Sequence, residues 1–379
     1  MVMNKVRLGS FIQSANEPNK QMLLNRKEDV LGISIDKEFM PSVANLNGTD
    51  LSKYYILRKN RFAYNPMHVG RDERLPISLY RKDNPALVSS AYEVFEVKDD
   101  APVILDYLML IFKTELFDKL CWRLTDGSVR GGLSYADFLN IEIYIPSIEE
   151  QQKVVNQYNT IVNRIDVLER LNEKLEELIQ VIFSSNFKPL SAGIQSNLTL
   201  DDFVVYSNGN AFKSEDYQET GIYKIITIKN VNDGYVDVKN VDYISEIDET
   251  IKNKYLLSIG DIVMSLTGNV GRTALVPTSN LLLNQRVAKY TPIHETHKGF
   301  IYALFRNSQS KSFIESIAKG TAQLNLSPVE LGKVGVDFDK EKIEKLSNKF
   351  NACLNSLINN TNEIIKLKEL KNVLISKIA

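Results

Sequence analysis

The second half of this chain repeats the first. Residues 149–184 align with residues 341–376 without gaps, at an offset of 192, and eleven of these thirty-six positions are identical. The identities include the Lys-Leu-x-Glu-Leu pattern that begins at Lys174 and again at Lys366. Because the offset is half of the 379 residues, this self-similarity predicts two copies of one structural unit.

The similarity extends upstream of these segments. The sequence "GSVRGGLSYADF" from Gly127 lies over "GTAQLNLSPVEL" from Gly320, and "YYILRKNRFAYNPMHVGR" from Tyr54 parallels "KYLLSIGDIVMSLTGNVGR" in the second half. The two longer stretches both close on Val-Gly-Arg, at Arg71 and at Arg272. Each predicted unit is therefore a globular domain followed by a long helix.

Apolar residues in each predicted helix alternate spacings of three and four, which is typical of a coiled-coil seam. The first seam comprises Val154, Tyr158, Ile161, Ile165, Leu168, Asn172, Leu175, Ile179 and Ile182. The second comprises Leu346, Phe350, Cys353, Leu357, Asn360, Ile364, Leu367, Lys371 and Leu374. At about 1.5 Å per residue each helix spans roughly 55 Å. Two copies related by a pseudo two-fold axis run antiparallel, so we expect the helices to pair as a spacer whose register Asn172 and Asn360 fix.

The segments between the helices predict mixed structure. Stretches such as "YKIITIKNV" and "GDIVMSL" are short and rich in β-branched residues, which indicates strands, whereas "HKGFIYALFRNSQSKSFIESIAKG" and "DYLMLIFKTELFDKLCWRL" are typical of helices. The predicted fold class is α+β, with two similar mixed α/β domains separated by two long antiparallel coiled-coil helices. The predicted boundaries are residues 1–147 for the first domain, 148–187 for its helix, 188–198 for a linker, 199–338 for the second domain and 339–379 for its helix.

Composition excludes several classes of function. With 44% hydrophobic and 25% charged residues, a formal net charge of -1 and no apolar block at the N-terminus, the chain is expected to be a cytoplasmic globular protein without a membrane segment. The sequence contains no phosphate-loop, H-E-x-x-H or G-x-S-x-G motif. We therefore expect no metal, cofactor or catalytic site, and expect Cys121 and Cys353 to be buried thiols.

Cationic and amide side chains are concentrated in the loops. Residues 262–294 contain no carboxylate but include Arg272, Arg286 and Lys289, and residues 58–82 hold seven basic residues against two acidic ones. Such loops suit hydrogen bonds to phosphate and to base edges. We therefore predict a DNA-binding surface, the alternative being an ordinary polar hairpin in each copy.

Four motifs accompany the two long helices: "YNPMHVG" with "ALVSSAYEVF", "LSYADFLNIEIYIPSIEEQQKVV" and "GDIVMSLTGNVGRTALVP". In this combination the chain resembles, along its whole length, a specificity (S) subunit of a type I restriction-modification enzyme. The second copy departs from the family pattern, because "VDFDKEKIEKL" stands where the family usually has Pro-x-x-x-Glu-Gln. Equal roles for the two helices are therefore an open question.

The resemblance implies a function and partners. It implies two target-recognition domains, each reading one half of a bipartite double-stranded DNA target, and helices that set the spacing between the halves. It also implies that the chain is not itself an enzyme. The chemistry would come from two methyltransferase subunits that use S-adenosylmethionine to methylate adenine N6, and from a motor and nuclease restriction subunit that uses ATP and Mg2+.

The candidate DNA contacts are polar residues of the predicted loops. They are Arg71, Arg130, Thr267, Asn269, Arg272, Gln285, Arg286, Gln323 and Asn325. Gly268 and Gly271 are expected to adopt positive φ and to carry Thr267, Asn269 and Arg272 away from the domain core. Arg272 could then meet phosphate or guanine, and Asn269 could pair with adenine. The alternative is that Arg272 only braces the hairpin.

Apolar residues expected on the outer face of the first helix predict a docking surface for the methyltransferase subunits. They are Leu171, Leu178, Val181 and Phe183. Two other functions remain open at this point. One is a metal-dependent nuclease that uses Asp83, Glu96 and Lys98, and the other is a coiled-coil scaffold that does not bind DNA.

Overall fold

The computed structural model describes residues 4–125, 131–320 and 323–378. The chain divides into two units, one formed by residues 1–163 with 368–379 and the other by residues 164–367. Each long helix contributes to both units, and the domain boundaries expected from the sequence stay predictions.

The described part of the first unit is built from short strands and short helices. Its strands are β1 (Asn4–Arg7), β2 (Ile12–Ser14), β3 (Val30–Ile33), β4 (Phe39–Pro41), β5 (Tyr55–Leu57), β6 (Phe62–Tyr64), β7 (Ile77–Leu79), β8 (Ala86–Val88), β9 (Glu93–Val97) and β10 (Glu142–Ile145). Its helices are α1 (Val69–Asp72), α2 (Leu105–Phe112), α3 (Glu115–Arg123), α4 (Tyr135–Asn140) and the first part of the long α5 (Ile148–Asn186). The strands form two sheets in the orders β2-β9-β6-β7 and β4-β3-β8-β5, and a separate β1-β10 pair.

The second unit is built on the same plan. Its strands are β11 (Val204–Asn208), β12 (Tyr223–Ile226), β13 (Asp242–Ile244), β14 (Leu256–Leu257), β15 (Ile262–Ser265), β16 (Thr273–Leu275), β17 (Leu281–Leu283) and β18 (Val287–Pro292). Its helices are α6 (Glu249–Tyr255), α7 (Lys298–Arg306), α8 (Ser308–Ile317), α9 (Pro328–Gly332) and most of the long α10 (Lys340–Ser376). The sheets have the orders β11-β18-β15-β16 and β13-β12-β17-β14.

The four-stranded sheets of the two units match strand by strand. Each strand of the two four-stranded sheets of the first unit has a counterpart at the same place in the order: β2-β9-β6-β7 matches β11-β18-β15-β16, and β4-β3-β8-β5 matches β13-β12-β17-β14. Both units contain one parallel pair at the same place, β3 with β8 and β12 with β17, and the other pairs in these sheets are antiparallel. The α+β fold and the repeat predicted from the sequence are confirmed.

Both of the helical segments predicted upstream of the long helices are interrupted. The side chain of Thr114 accepts a hydrogen bond from the Phe117 N–H at 3.2 Å and so caps α3. The side chain of Asn307 accepts from the N–H groups of Gln309 and Ser310 at 3.1 and 3.2 Å and caps α8. These side chains satisfy N–H groups that a new helix leaves unpaired, so each segment folds as two helices.

The seam between α5 and α10 is polar at one level, as predicted. The Asn360 side-chain amide donates to the Asn172 Oδ1 atom at 2.8 Å, and Asn172 donates to the Thr361 hydroxyl at 3.4 Å. Nearby, the Arg164 guanidinium makes two hydrogen bonds to the Glu363 carboxylate, at 2.7 and 3.0 Å. Lower numbers on α5 face higher numbers on α10, so the helices pair antiparallel within the second unit.

The two long helices begin with different contacts. In the first unit the buried Gln151 side chain accepts from the Ile104 N–H at 2.8 Å and donates to the Pro146 carbonyl at 3.0 Å. In the second unit, near the start of α10, the His297 ring lies 2.7 Å from the Glu344 carboxylate. The departure from the family motif seen in the second copy thus coincides with a different attachment of the helix to its domain.

One predicted surface residue of α5 belongs to the core of the second unit. Phe183 is fully buried, and its ring centroid lies 5.9 Å from those of Phe187 and Phe300. The expectation that Phe183 faces outward is therefore wrong, because its ring packs against these aromatic rings in the core. Cys121 and Cys353 are buried, as expected. Among the described residues, no helix is long and apolar enough to cross a membrane.

Candidate DNA interface

Three segments of the second unit converge on one side of the β15 and β17 strand ends. We name them the glycine loop (residues 266–272), the β17–β18 turn (residues 284–286) and the amide segment (residues 323–326). The glycine loop connects β15 to β16, and the amide segment precedes α9. Together they contain the seven residues that the sequence proposes as DNA contacts in this unit.

Backbone hydrogen bonds hold the three segments together. The Leu266 N–H donates to the Arg286 carbonyl at 2.8 Å, which joins the glycine loop to the β17–β18 turn. The Gly268 N–H donates to the Leu324 carbonyl at 3.0 Å, and the Leu326 N–H donates to the Leu266 carbonyl at 2.8 Å. The three segments therefore form one continuous surface, although they are up to about sixty residues apart in sequence.

The glycines of the loop have the backbone conformation that the sequence predicts. Gly268 has φ of 73° and Gly271 has φ of 79°. At both positions another residue would be strained. The Gly271 N–H donates to the Ser265 carbonyl at 3.0 Å, and the Ser265 hydroxyl donates to the Asn269 carbonyl. The loop is thus a closed turn in which Asn269 is exposed.

Most side chains on this surface are exposed amides, with one exposed cation. The exposed candidates are Asn269, Gln285, Arg286, Gln323 and Asn325. Arg286 has φ of 67°, and it has no ion pair with any residue that the structure describes. Amides can both donate and accept, and a guanidinium donates in a planar fork, so the surface suits base edges and phosphates.

Two candidates lie deeper than the sequence suggests. Thr267 is 4% exposed, and its hydroxyl donates to the Asn325 Oδ1 atom at 2.9 Å. The expectation that the loop carries Thr267 away from the core is wrong, because this contact fastens the loop to the amide segment. Arg272 is partly buried, and its Nη1 atom donates to Asn232 Oδ1 at 3.4 Å. That contact resembles the bracing role considered as the alternative, and the role of Arg272 in binding stays a prediction.

The end of β11 adds a segment that sequence reasoning missed. The Asn210 N–H donates to the Leu283 carbonyl at 2.9 Å, and the Gln285 N–H donates to the Asn210 carbonyl at 2.7 Å. A Cβ at Gly209 would lie 2.1 Å from the Asn284 carbonyl oxygen, so only glycine fits there. The signal in the sequence is "SNGN" at the end of a strand, which indicates a tight approach of two backbones.

The first unit repeats the contact between loop and following segment. The Gly70 N–H donates to the Gly131 carbonyl at 3.2 Å, and the Leu133 N–H donates to the Pro66 carbonyl at 3.2 Å. In the repeat, Gly131 and Leu133 correspond to Leu324 and Leu326, which make a similar pair of contacts in the second unit, although the partner of Leu324 is Gly268 and not Gly271, which aligns with Gly70. The candidate surface is therefore built twice, at equivalent places.

The candidate residues of the first unit are less available than expected. Arg71 is exposed, and its guanidinium makes two hydrogen bonds to the carboxylate of Asp72, at 2.6 and 2.9 Å. Arg130 lies outside the residues that the structure describes. Met67, in the turn that precedes α1, is 60% exposed. The first unit thus presents an apolar side chain where the second presents amides.

Carboxylates from other parts of the chain neutralise much of the cationic stretch of residues 58–82. Arg58 and Arg61 lie 2.6 and 2.7 Å from the Glu17 carboxylate, and Lys59 lies 2.6 Å from Asp83. The hydrogen bond from Arg58 lowers the pKa of Glu17 to about 2, with a further contribution from Arg61. The positive local charge read from the sequence is therefore reduced in the folded first unit.

The residues of the nuclease alternative do not form a site. Asp83 is paired with Lys59, while Glu96 accepts hydrogen bonds from Gln13 at 3.0 Å and Arg61 at 3.2 Å. Lys98 donates to the backbone carbonyls of residues 9 and 10. The described residues contain no group of three or more His, Cys, Asp or Glu suited to hold a metal ion. The nuclease interpretation is not supported.

Exposed apolar residues recur at equivalent positions of the long helices. On α5, Leu178 and Val181 are 47% and 61% exposed, and Leu171 is 45% exposed. On α10, Leu370 and Val373 are 52% and 47% exposed, and they align with Leu178 and Val181 at the offset of the repeat. Each unit therefore presents one exposed Leu-x-x-Val pair.

Comparisons with known proteins agree with this arrangement. The sequence matches the family described as type I restriction modification DNA specificity domain twice, over residues 5–177 and 196–374. It is 24% identical over 319 residues to the type I restriction enzyme MjaIX specificity subunit of Methanocaldococcus jannaschii, covering 78% of this chain and 72% of that protein. It is 25% identical over 247 residues to the MjaVIII specificity subunit of the same organism, covering 58% of this chain and 56% of that protein.

A solved structure has a similar fold. The S subunit of a type I restriction-modification system from M. genitalium aligns with a TM-score of 0.56 at 14% identity, covering 100% of this chain and 96% of that one. At this identity the similarity concerns the fold alone. The two sequence matches and the fold agree on a chain made of two related halves.

Proposed function

Because this chain belongs to the family of DNA specificity subunits of type I restriction-modification enzymes, we propose that each of its units reads one half of a bipartite double-stranded DNA target. The observation that carries the proposal is the repeated contact between loop and segment, Gly268 with Leu324 in one unit and Gly70 with Gly131 in the other. A surface built twice on equivalent elements suits two half-sites. The chain recognises DNA, and the catalysis belongs to its partners.

In the second unit, the half-site is read by the exposed side chains of the three converging segments. Asn269, Gln285, Gln323 and Asn325 supply amides for base edges, of which adenine is the usual partner. Arg286 supplies a guanidinium without a carboxylate partner in the described residues, which suits guanine or phosphate. Thr267 acts indirectly, because its hydroxyl orients the Asn325 side chain.

The long helices dock the methyltransferase subunits and set the spacing between half-sites. The Leu178 and Val181 pair and the Leu370 and Val373 pair are the docking residues, with Leu171 beside the first. Two equivalent pairs support two methyltransferase subunits for each chain. Those subunits bind S-adenosylmethionine and methylate adenine N6, and a restriction subunit supplies ATP- and Mg2+-dependent translocation and cleavage.

Methylome sequencing of cells that express the complete system tests the proposal. We expect methylated adenines in one motif made of two short sequences at a fixed separation. A continuous motif, or no motif that depends on this chain, would contradict it.

The substitution Arg286→Ala tests the reading surface of the second unit. We expect intact folding and assembly, DNA binding weaker by about 1–3 kcal/mol if the contact is to a base, and relaxed preference within one half-site only. Fluorescence anisotropy with the assembled methyltransferase and the methylome measure these effects. The matched variant Arg272→Ala should also weaken binding to the same half-site. A lower melting temperature with unchanged specificity would show that Arg272 only holds Asn232.

A further inference from the structure

A cation at equivalent positions joins each unit to its part of the spacer helix α5. In the second unit, the Arg306 guanidinium lies 3.3 Å from Asp233 and 3.4 Å from Glu176 of α5. In the first unit, the Lys113 ammonium lies 3.2 Å from Glu38 and 6.0 Å from the centre of the Tyr158 ring of α5. Lys113 directly follows α2 and Arg306 is the last residue of α7, and the two are separated by the offset of 193 that relates Gly127 to Gly320.

In each unit, the acidic residue that contacts the cation lies on a connection between two strands, and the two connections occupy equivalent places in the two units. Glu38 lies between β3 and β4, and Asp233 lies between β12 and β13. The next helix adds a second ion pair in both units, Lys37 with Asp118 at 2.6 Å and Lys311 with Asp233 at 2.5 Å. Asp118 and Lys311 are also equivalent residues. Both units therefore have an ion pair at this position, but the acid is on the helix in the first unit and on the connection in the second.

The same connection is fastened next to the candidate DNA surface. In the first unit the link is indirect, because Asp118 of α3, which pairs with Lys37 of the connection, accepts from the Leu75 N–H at 2.9 Å, just after α1. In the second unit, the Gly234 N–H donates to the Thr273 carbonyl at 2.9 Å, immediately after the glycine loop. Gly234 has φ of 88°, and a Cβ there would lie 3.1 Å from the Arg306 guanidinium. The positive φ favours glycine at this position, and a larger residue would also press on the Arg306 guanidinium.

We propose that Lys113 and Arg306 are positioning residues that hold each DNA-reading surface at a fixed orientation to the spacer helix, and so make the spacing between half-sites strict. The inference rests on the proposed function. Arg306 is largely buried, with 18% of its side chain exposed, and so is Glu176, with 22% exposed. The buried hydroxyl of Tyr302 donates to the same Glu176 carboxylate. Ion pairs that are shielded from water in this way hold geometry better than exposed ones.

The experiment compares methylomes of the complete system carrying Arg306→Gln or Arg306→Lys. Glutamine removes the charge, whereas lysine is the residue that the first unit has at this position. We expect Arg306→Gln to raise methylation at sites one base pair longer or shorter than the wild-type motif at least tenfold relative to sites of the wild-type spacing. The half-site sequences should not change, and Arg306→Lys should retain the wild-type spacing.

If Arg306 only stabilised the fold, a different result would be expected. Arg306→Gln would then lower the melting temperature and reduce methylation equally at all spacings, and that result would overturn the inference. If Arg306→Gln does not assemble, Glu176→Gln is tested in its place, because it removes the charge of the partner on α5 and keeps the shape of the side chain. The measurement is again the ratio of methylation at altered spacings to methylation at the wild-type spacing. A wild-type motif that is not bipartite would instead overturn the proposed function itself, so the two failures are distinguishable.

Discussion

A heptad inserted after Glu169 in α5 together with one after Thr361 in α10 is expected to move the two half-sites apart. Both insertion points lie between the Arg164–Glu363 contact and the Asn172–Asn360 contact. The inserted turns therefore separate these two contacts from each other, and each residue keeps its own partner. Seven residues add about 10 Å, which is roughly three base pairs at 3.4 Å each. The methylome should then show unchanged half-sites separated by about three more base pairs.

The lengthened variant should also be less active. A heptad turns the helix by only about 20° from its starting face, whereas three base pairs turn the duplex by roughly 100°. A heptad in α5 alone is the control, because it separates Asn172 from Asn360 and should destabilise the helix pair. Unchanged spacing in an active double-insertion variant would contradict the role of the helices as a spacer.

Replacing Leu178 and Val181 with aspartate is expected to remove one methyltransferase from the complex. Both side chains are about half exposed in this chain, so folding should persist. Burial of two such residues at an interface stabilises it by about 3 kcal/mol, and two carboxylates in their place add a desolvation cost. We expect an affinity loss of more than a hundredfold at that position, measured by native mass spectrometry of the assembled complex.

The equivalent pair on α10 supplies the matched test. The same change at Leu370 and Val373 should remove the other methyltransferase, and the two changes together should leave the chain without either. Val43→Asp is the control, because Val43 is 89% exposed and lies in the segment that follows β4, outside both long helices. Equal loss of both methyltransferases from either single-helix variant would contradict one docking site per pair.

The features predicted correctly from the sequence are those set by local periodicity or repetition. The seam residues of both helices are buried or partly buried, because a spacing of three and four residues keeps them on one face of a helix. The positive φ of Gly268 and Gly271 follows from the sequence of the loop alone. The repeat predicted the match between the sheets without reference to any single contact.

The features that sequence reasoning missed depend on residues far apart in the chain. Thr267 is buried because Asn325 lies across from it, and Phe183 is buried because Phe300 packs on it. The first unit appeared cationic because Glu17, which pairs with Arg58, lies 41 residues away from it. No window of sequence around each residue contains this information, since it arises only when the chain folds.

The reversed ion pair has a consequence for hybrid proteins assembled from the halves of this chain or its relatives. If the β3–β4 connection replaced its counterpart in the second unit, Lys37 would face Lys311 in place of Asp233, and two cations would meet with little water to separate them. A transplanted loop alone should therefore misfold, whereas a whole unit carries both members of its pair. Recombination that creates new DNA specificities should accordingly favour crossovers that keep each connection together with the helix that pairs with it, Lys37 with Asp118 and Asp233 with Lys311.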